Sequence, residues 1–220
     1  MSDQTRELRF IAVAGNIGAG KSTLARLILG VWSPTHGSVE LDGYDLAQCQ
    51  RQALGHRVGY CPQRVQLLNV SVKENIARLG TIDDDAVVAA AESVGAHSMI
   101  QGLPNGYDTV VKPYVMSGGQ QQRVGLAQAF YGDPCLVVLD KPDSNLDDEG
   151  VRCLGSALQQ AKAKGTTVVI ITHRASYMRW VDKVLVMANG QLQAFGPAEQ
   201  IMQRLQQGQS STETNYRPSF

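Results

Sequence analysis

No apolar run in this 220-residue chain approaches the roughly 20 residues that a bilayer span requires. Its opening, MSDQTRELRF, is polar and mixed in charge and does not read as a secretory leader. Any membrane role is therefore expected to come through a partner. An excess of either charge is also missing, because Lys+Arg and Asp+Glu stand at 20 each. With no global basic field, no nucleic-acid partner is expected. Cysteine is sparse: Cys49, Cys61, Cys135 and Cys153 form no C-x-x-C pair and no cysteine–histidine zinc spacing. That argues against a disulfide-stapled fold, and the plain expectation is four buried thiols in a reducing compartment.

What is present suits an ordinary globular core, with 43% apolar and 18% charged residues. Short apolar runs alternate with helical patterns, which predicts an α/β fold with a mostly parallel central sheet. RFIAVAG (Arg9 to Gly15), RVGYC (Arg57 to Cys61), CLVVLD (Cys135 to Asp140) and TTVVIIT (Thr166 to Thr172) read as strands. SVELDG (Ser38 to Gly43) alternates as a half-exposed strand would. Helices are expected over KSTLARLI, VKENIARL, TIDDDAVVAAAESVG, QQQRVGLAQAFYG, residues 148–164 and residues 198–207. Ser71 with Glu74, and Ser117 with Gln120, have capping-box spacing. LPNGYD reads as a loop, and Asn189-Gly190 between alternating runs signals a hairpin. One domain over 1–207, with a helical insert at about 65–133 and a disordered polar tail at 208–220, is the expected organisation.

GNIGAGKST, Gly15 to Thr23, fits G-x-x-x-x-G-K-[ST]. The strand before it and the helix after it give the context that the motif requires. Gly15, Gly18 and Gly20 let the backbone wrap closely, so that the loop through Asn16 and Ala19 can turn N–H groups onto phosphate. The helix N-terminus adds positive potential. Lys21 would reach the outer phosphates, Ser22 would hold magnesium, and Thr23 closes the motif. The ligand class is a nucleoside triphosphate; the motif does not say what is done with it.

Downstream stand VGYCPQ (ending at Gln63), MSGGQQQRVGLAQA (Met116 to Ala129), CLVVLDKPDSNLD and IITHR (Ile170 to Arg174). In this order after a phosphate loop, from about Arg9 to Gln207, they resemble the nucleotide-binding domain of ATP-binding cassette (ABC) transporters. The SGGQ element makes the likeness specific. GSVELDGYDL, VSVKENIARLG and LPNGYDTVV resemble the exporter branch, with type I secretion exporters nearest.

The resemblance implies a P-loop NTPase core, a helical signature subdomain and a truncated antiparallel β subdomain. It implies MgATP as ligand and closure with a second nucleotide-binding domain, homo- or heterodimeric, head to tail around two ATP molecules. It also implies a transmembrane partner, and so a cytoplasmic place at the inner face of a membrane. By motif, Ser117, Gly118, Gly119 and Gln120 cap the γ-phosphate of the partner's nucleotide; Ser117 as a helix cap alone is the alternative. Gln63 touches magnesium, Asp140 holds it through water, and His173 contacts the γ-phosphate, unless it is a polar residue that merely ends a strand.

Three departures bear on function. Lys141 stands where the family places a glutamate that orients the attacking water, so a slow ATPase is expected. Two readings of Lys141 stand side by side: its ammonium lies near the γ-phosphate, or it swings to solvent. Asp143, beyond Pro142, is not expected to replace the glutamate. Only fourteen residues precede Gly15, with Phe10 their sole aromatic. The family's adenine-stacking ring is thus expected to be missing, and SVELDG to be left with an unpaired edge. Between GYDTVV and SGGQ only KPYVM intervenes, a shorter stretch than in exporters, which puts coupling to transport in question. Gln121 and Gln128 replace basic residues common in the signature helix. The alternative functions are a binding-only regulatory ABC domain and, on FIAVAGNIGAGKSTLA alone, a deoxynucleoside kinase-like enzyme.

Overall fold

The computed structural model describes residues 10–15, 20–41, 43–49, 55–112 and 116–204. Six strands form the main sheet: β1 (Phe10–Gly15), β4 (Val58–Cys61), β5 (Leu136–Asp140), β6 (Thr167–Ile171), β7 (Lys183–Ala188) and β8 (Gln191–Pro197). Their order is β4-β5-β6-β1-β7-β8, parallel except for the last pair. The central strands alternate strictly between two apolar layers. Val13, Val138, Val169 and Ile171 pack on one side with Ala25 of α1 (Lys21–Ile28). Ala12, Val137, Leu139, Val168 and Ile170 face the other side, toward α5 (Gly118–Phe130) and α6 (Asp148–Ala163). Burial on both faces explains why these strands are almost continuously apolar.

β2 (Glu40–Leu41) and β3 (Tyr44–Asp45) make a small antiparallel sheet of their own. One edge of β2 is thus paired with the residues just after it, and its other edge has no strand partner among the described residues. Between β4 and β5 run α2 (Val72–Ile76), α3 (Asp84–Ser93), α4 (His97–Gln101) and a 3-10 turn, Gly106–Asp108. Both capping boxes form. At the hairpin, Asn189 and Gly190 take φ of 50° and 75°, the paired left-handed geometry that a tight two-residue turn demands. Residues 198–204 are helical, and 205–220, including the tail, lie outside the described residues.

α5 lies directly on the backbone of β4. A Cβ on Gly59 would stand 1.8 Å from the Ala129 carbonyl oxygen. Backbone opposes backbone there, so no rotamer relieves the clash. Gly59→Ala is expected to destabilise the fold by about 3 kcal/mol, at the top of the usual range for overpacked cores. Urea denaturation would read the loss, and an unchanged midpoint would show that the two elements are not so close.

Candidate functional site

The carboxyl ends of β1, β5 and β6 lie side by side. Val13 and Asp140 both pair with Ile171, and the Thr172 N–H donates to the Val13 carbonyl at 3.2 Å. A crevice beyond such strand ends is the usual ligand site of a parallel α/β sheet. Gly20 sits there with φ of 80° and serves as N-cap of α1. Its neighbours leave room for a Cβ at 3.6 Å, so the left-handed backbone is what favours glycine at this point. Asn16, Gly18 and Ala19 lie outside the described residues.

Lys21 is only 6% exposed. Burial pushes its pKa down, the Lys141 charge pushes it further the same way, and Asp140 opposes both. Ser22 Oγ donates to Asp140 Oδ2 at 2.9 Å, which fastens the first turn of α1 to the end of β5. Asp140 is itself buried, and its Oδ1 has no hydrogen-bond partner. A hydroxyl and a carboxylate are hard oxygen donors of the kind magnesium takes, with substrate phosphates and water supplying the rest. The unpartnered Oδ1 fits that use. Thr23 is exposed beside Ser22, and His173 is exposed just past β6.

Gln63 is exposed and engaged by a cation. Its Oε1 accepts from Lys141 Nζ at 3.2 Å. Lys141 is half-buried. It does not swing to solvent; it turns across the strand ends onto Gln63. Its backbone is left-handed, with φ of 48°, and is held there by its N–H on the Ile171 carbonyl at 2.8 Å. Asp143 is committed elsewhere, in an ion pair with Arg174 Nε at 2.5 Å.

A second group gathers at the head of α5. Ser117 Oγ accepts from the Gln120 N–H at 3.3 Å, and Gln120 Oε1 accepts from the Ser117 N–H at 2.8 Å. Ser117 and Gly118 are exposed. A Cβ on Gly119 would stand 2.8 Å from the Asn145 carbonyl, so the SNLD loop lies against this helix start. Arg123 Nη2 pairs with Asp147 at 2.6 Å. Asp147 also caps α6 through the Gly150 N–H, and that bond, with Arg123 second, holds its carboxyl below the usual range. A cavity of about 300 Å³ opens between these residues and Met99.

Sequence reasoning missed the link between the two groups. Gln122, fully buried, donates to the Pro142 carbonyl at 3.1 Å and so joins α5 to the loop after β5. Its only sequence signal was a polar residue on the inward face of an amphipathic helix. Gln121, one of the two replacements of basic residues, donates to the Met116 carbonyl at 3.0 Å. The thiol expectation needs correction. All four cysteines are free, but only Cys61 is fully buried, and Cys49, Cys135 and Cys153 are partly accessible. Burial, with the Asp140 charge second, raises the Cys61 thiol to about 12.

The start of α1 beside an acidic strand end, on a mostly parallel sheet with a serine-headed helix inserted before that strand, is the arrangement of a P-loop NTPase of the ABC type. The family model described as ABC transporter matches residues 2–144, and the chain belongs to that family. It is 47% identical over 195 residues to the type I secretion system ATP-binding protein PrsD of Rhizobium meliloti, with 87% of this chain and 34% of that protein covered. It is 41% identical over 186 residues to the ATP-dependent lipid A-core flippase of Chromohalobacter salexigens, covering 83% of this chain and 32% of that one. Among solved structures, a bacterial Atm1-family ABC exporter with ATP bound superposes at a TM-score of 0.82 with 29% identity, over 96% of this chain and 38% of that one. The chain thus spans only about a third of the length of these relatives. Among the described residues no helix is long and apolar enough to cross a membrane.

Proposed function

We propose that the chain is the ATP-binding part of an exporter. In this reading it binds MgATP, closes head to tail with a second nucleotide-binding domain and works on a transmembrane partner from the cytoplasmic face, while its own hydrolysis is suppressed. The observation that carries the reading is the Ser22–Asp140 hydrogen bond with the unpartnered Asp140 Oδ1 beside it. It joins the helix start that follows the phosphate motif to a buried carboxylate, the pairing that a bound triphosphate would use. Magnesium, when present, would be held by Ser22 and Asp140 and would neutralise phosphate charge. Lys21 offers its ammonium to the outer phosphates. The head of α5 is exposed, and in this reading its N–H groups would meet the γ-phosphate of the facing nucleotide.

Hydrolysis adds a water oxygen to the γ-phosphorus, breaks the bond to the ADP oxygen and releases a proton. The position that should orient that water carries Lys141, which already donates to Gln63 and cannot accept a proton while charged. The same contact favours the binding-only version over a rapid motor. SGGQ with its capping box, Ser117 to Gln120, sets both apart from a kinase. The deciding measurement is light scattering or sedimentation with saturating MgATP, alongside phosphate release. Dimers with slow release are expected; a chain that stays monomeric, alone and with its membrane partner, would overturn the proposal.

A further inference from the structure

We infer that Arg174 is a latched phosphate-binding arginine: Asp143 holds it back, and the Tyr177 hydroxyl takes over the Asp143 carboxylate when a triphosphate draws Arg174 away. The inference rests on the triphosphate reading above and adds to it a binding residue and an exchange of partners. Arg174 follows His173 directly, just past the end of β6, and its Nε meets Asp143 Oδ2 at 2.5 Å. The pair is lopsided, because the arginine side chain is 57% exposed and the aspartate side chain only 7%. A guanidinium carries five donors in a planar fork. Among the described residues, no side chain other than Asp143 pairs with the Arg174 fork. Such a fork matches phosphate oxygens two at a time. The backbone beneath it is fixed: the Arg174 N–H donates to Thr172 Oγ1 at 3.0 Å, and the Arg174 carbonyl accepts from the Tyr177 N–H at 3.3 Å. What can move is the side chain.

Tyr177 supplies the second seat. It lies in the 3-10 turn Ala175–Trp180, is fully buried, and its hydroxyl has no hydrogen-bond partner. A buried tyrosine hydroxyl ordinarily finds one, and leaving the bond unmade disfavours the fold. The turn is seated firmly. The Tyr177 and Trp180 rings meet edge to face at 5.3 Å, and a Cβ on Gly155 of α6 would stand 2.7 Å from the Trp180 ring. The hydroxyl is therefore held in place. The Asp143 charge reaches it: after burial, that charge is the next cause that keeps the phenol from ionising. Arg174 cannot simply leave, because a buried carboxylate stripped of its counter-charge is strongly disfavoured. With the tyrosine O–H as a donor, the carboxylate keeps a partner and no proton changes hands. The exchange accounts both for a buried donor left unused and for an exposed arginine beside the residue assigned to the γ-phosphate.

The experiment compares the whole chain with its variants by mant-ATP titration in magnesium chloride and by thermal melting without nucleotide. Tyr177→Phe removes the unused hydroxyl and keeps the ring. Its nucleotide-free midpoint is expected to rise by about 2–4 °C, while its Kd for mant-ATP rises at least about threefold. Asp143→Asn slackens the hold on Arg174, and its Kd is expected to fall at least about threefold. With the charge at 143 gone, the receiving donor is no longer needed. Tyr177→Phe added to Asp143→Asn should then change Kd by less than about twofold. A purely structural role predicts neither the opposite signs in Tyr177→Phe nor tighter binding in Asp143→Asn. An unchanged or lowered Kd in Tyr177→Phe overturns the inference, as does a lowered midpoint, which would show the hydroxyl already partnered. An unchanged or raised Kd in Asp143→Asn overturns it too. Tyr177→Phe decides the question alone if Asp143→Asn folds poorly, because it takes away no hydrogen bond that the structure shows. Failure of these shifts in a parent that binds mant-ATP removes only this inference; a parent that binds none removes the triphosphate reading as well.

Discussion

Lys141→Glu is expected to raise steady-state phosphate release by at least about tenfold, toward the roughly 10²–10⁴-fold that a positioned general base contributes. Two effects act together. The substitution places a carboxylate beside Asp140, where it can orient water and accept its proton. It also removes the ammonium from Gln63 Oε1, 3.2 Å away in the parent, and frees that carboxamide for the ligand. Among the described residues, Asp143 is the nearest spare carboxylate, and it is not available. Asp143 is buried and paired with Arg174, so its oxygens are committed to holding the loop after β5 against the end of β6. Lys141→Gln separates the two effects: it removes the charge without adding a base, and it should leave turnover near the parent's. If Lys141→Glu binds MgATP but stays as slow as the parent, the defect lies elsewhere than at residue 141.

Signals that act over a few residues were legible in the sequence. The serine–glutamate and serine–glutamine spacings at Ser71 and Ser117 became capping boxes, because each needs only one helical turn to close. Asn189-Gly190 became a hairpin, because both residues tolerate positive φ. The strands from Leu136 to Asp140 and from Thr167 to Ile171 were plain, since burial on both faces leaves unbroken apolar runs. What failed was non-local. VKENIARL reads as a continuous helix, yet it stops at Ile76, and Arg78 and Leu79 turn to positive φ. The Arg78 guanidinium is drawn to carbonyls of Gly55, Val58 and Tyr131, which no local pattern announces. The candidate site divides in the same way. Ser22 and Asp140 were assigned from motifs, but the lysine–glutamine contact joins residues 78 apart in sequence, and only the parallel pairing of β4 with β5 brings the ends of their strands together.

Lys21→Ala is expected to weaken ATP binding by about 100-fold, the scale of losing a desolvated charge partner. It should do so with little effect on the empty fold. Burial and the Lys141 charge both disfavour the Lys21 ammonium, so holding it charged costs the nucleotide-free protein some stability. The sign follows from the depressed pKa. The cost is complete while the lysine is protonated in both states, and it is relieved as pH rises from the lowered folded value toward the ordinary 10.5. Alanine removes that cost along with whatever Lys21 contributes by its own contacts. The nucleotide-free melting midpoint is therefore expected to stay within about 4 °C of the parent's. Saturating ATP at about 100 times Kd adds roughly 2.7 kcal/mol to the parent, a rise of about 5–10 °C for a chain of this size. The variant should show almost none of that rise at the same ATP concentration. An ATP-induced shift as large in Lys21→Ala as in the parent would mean that the buried lysine does not touch the phosphates, and the strand-end crevice would lose its claim to be the nucleotide site.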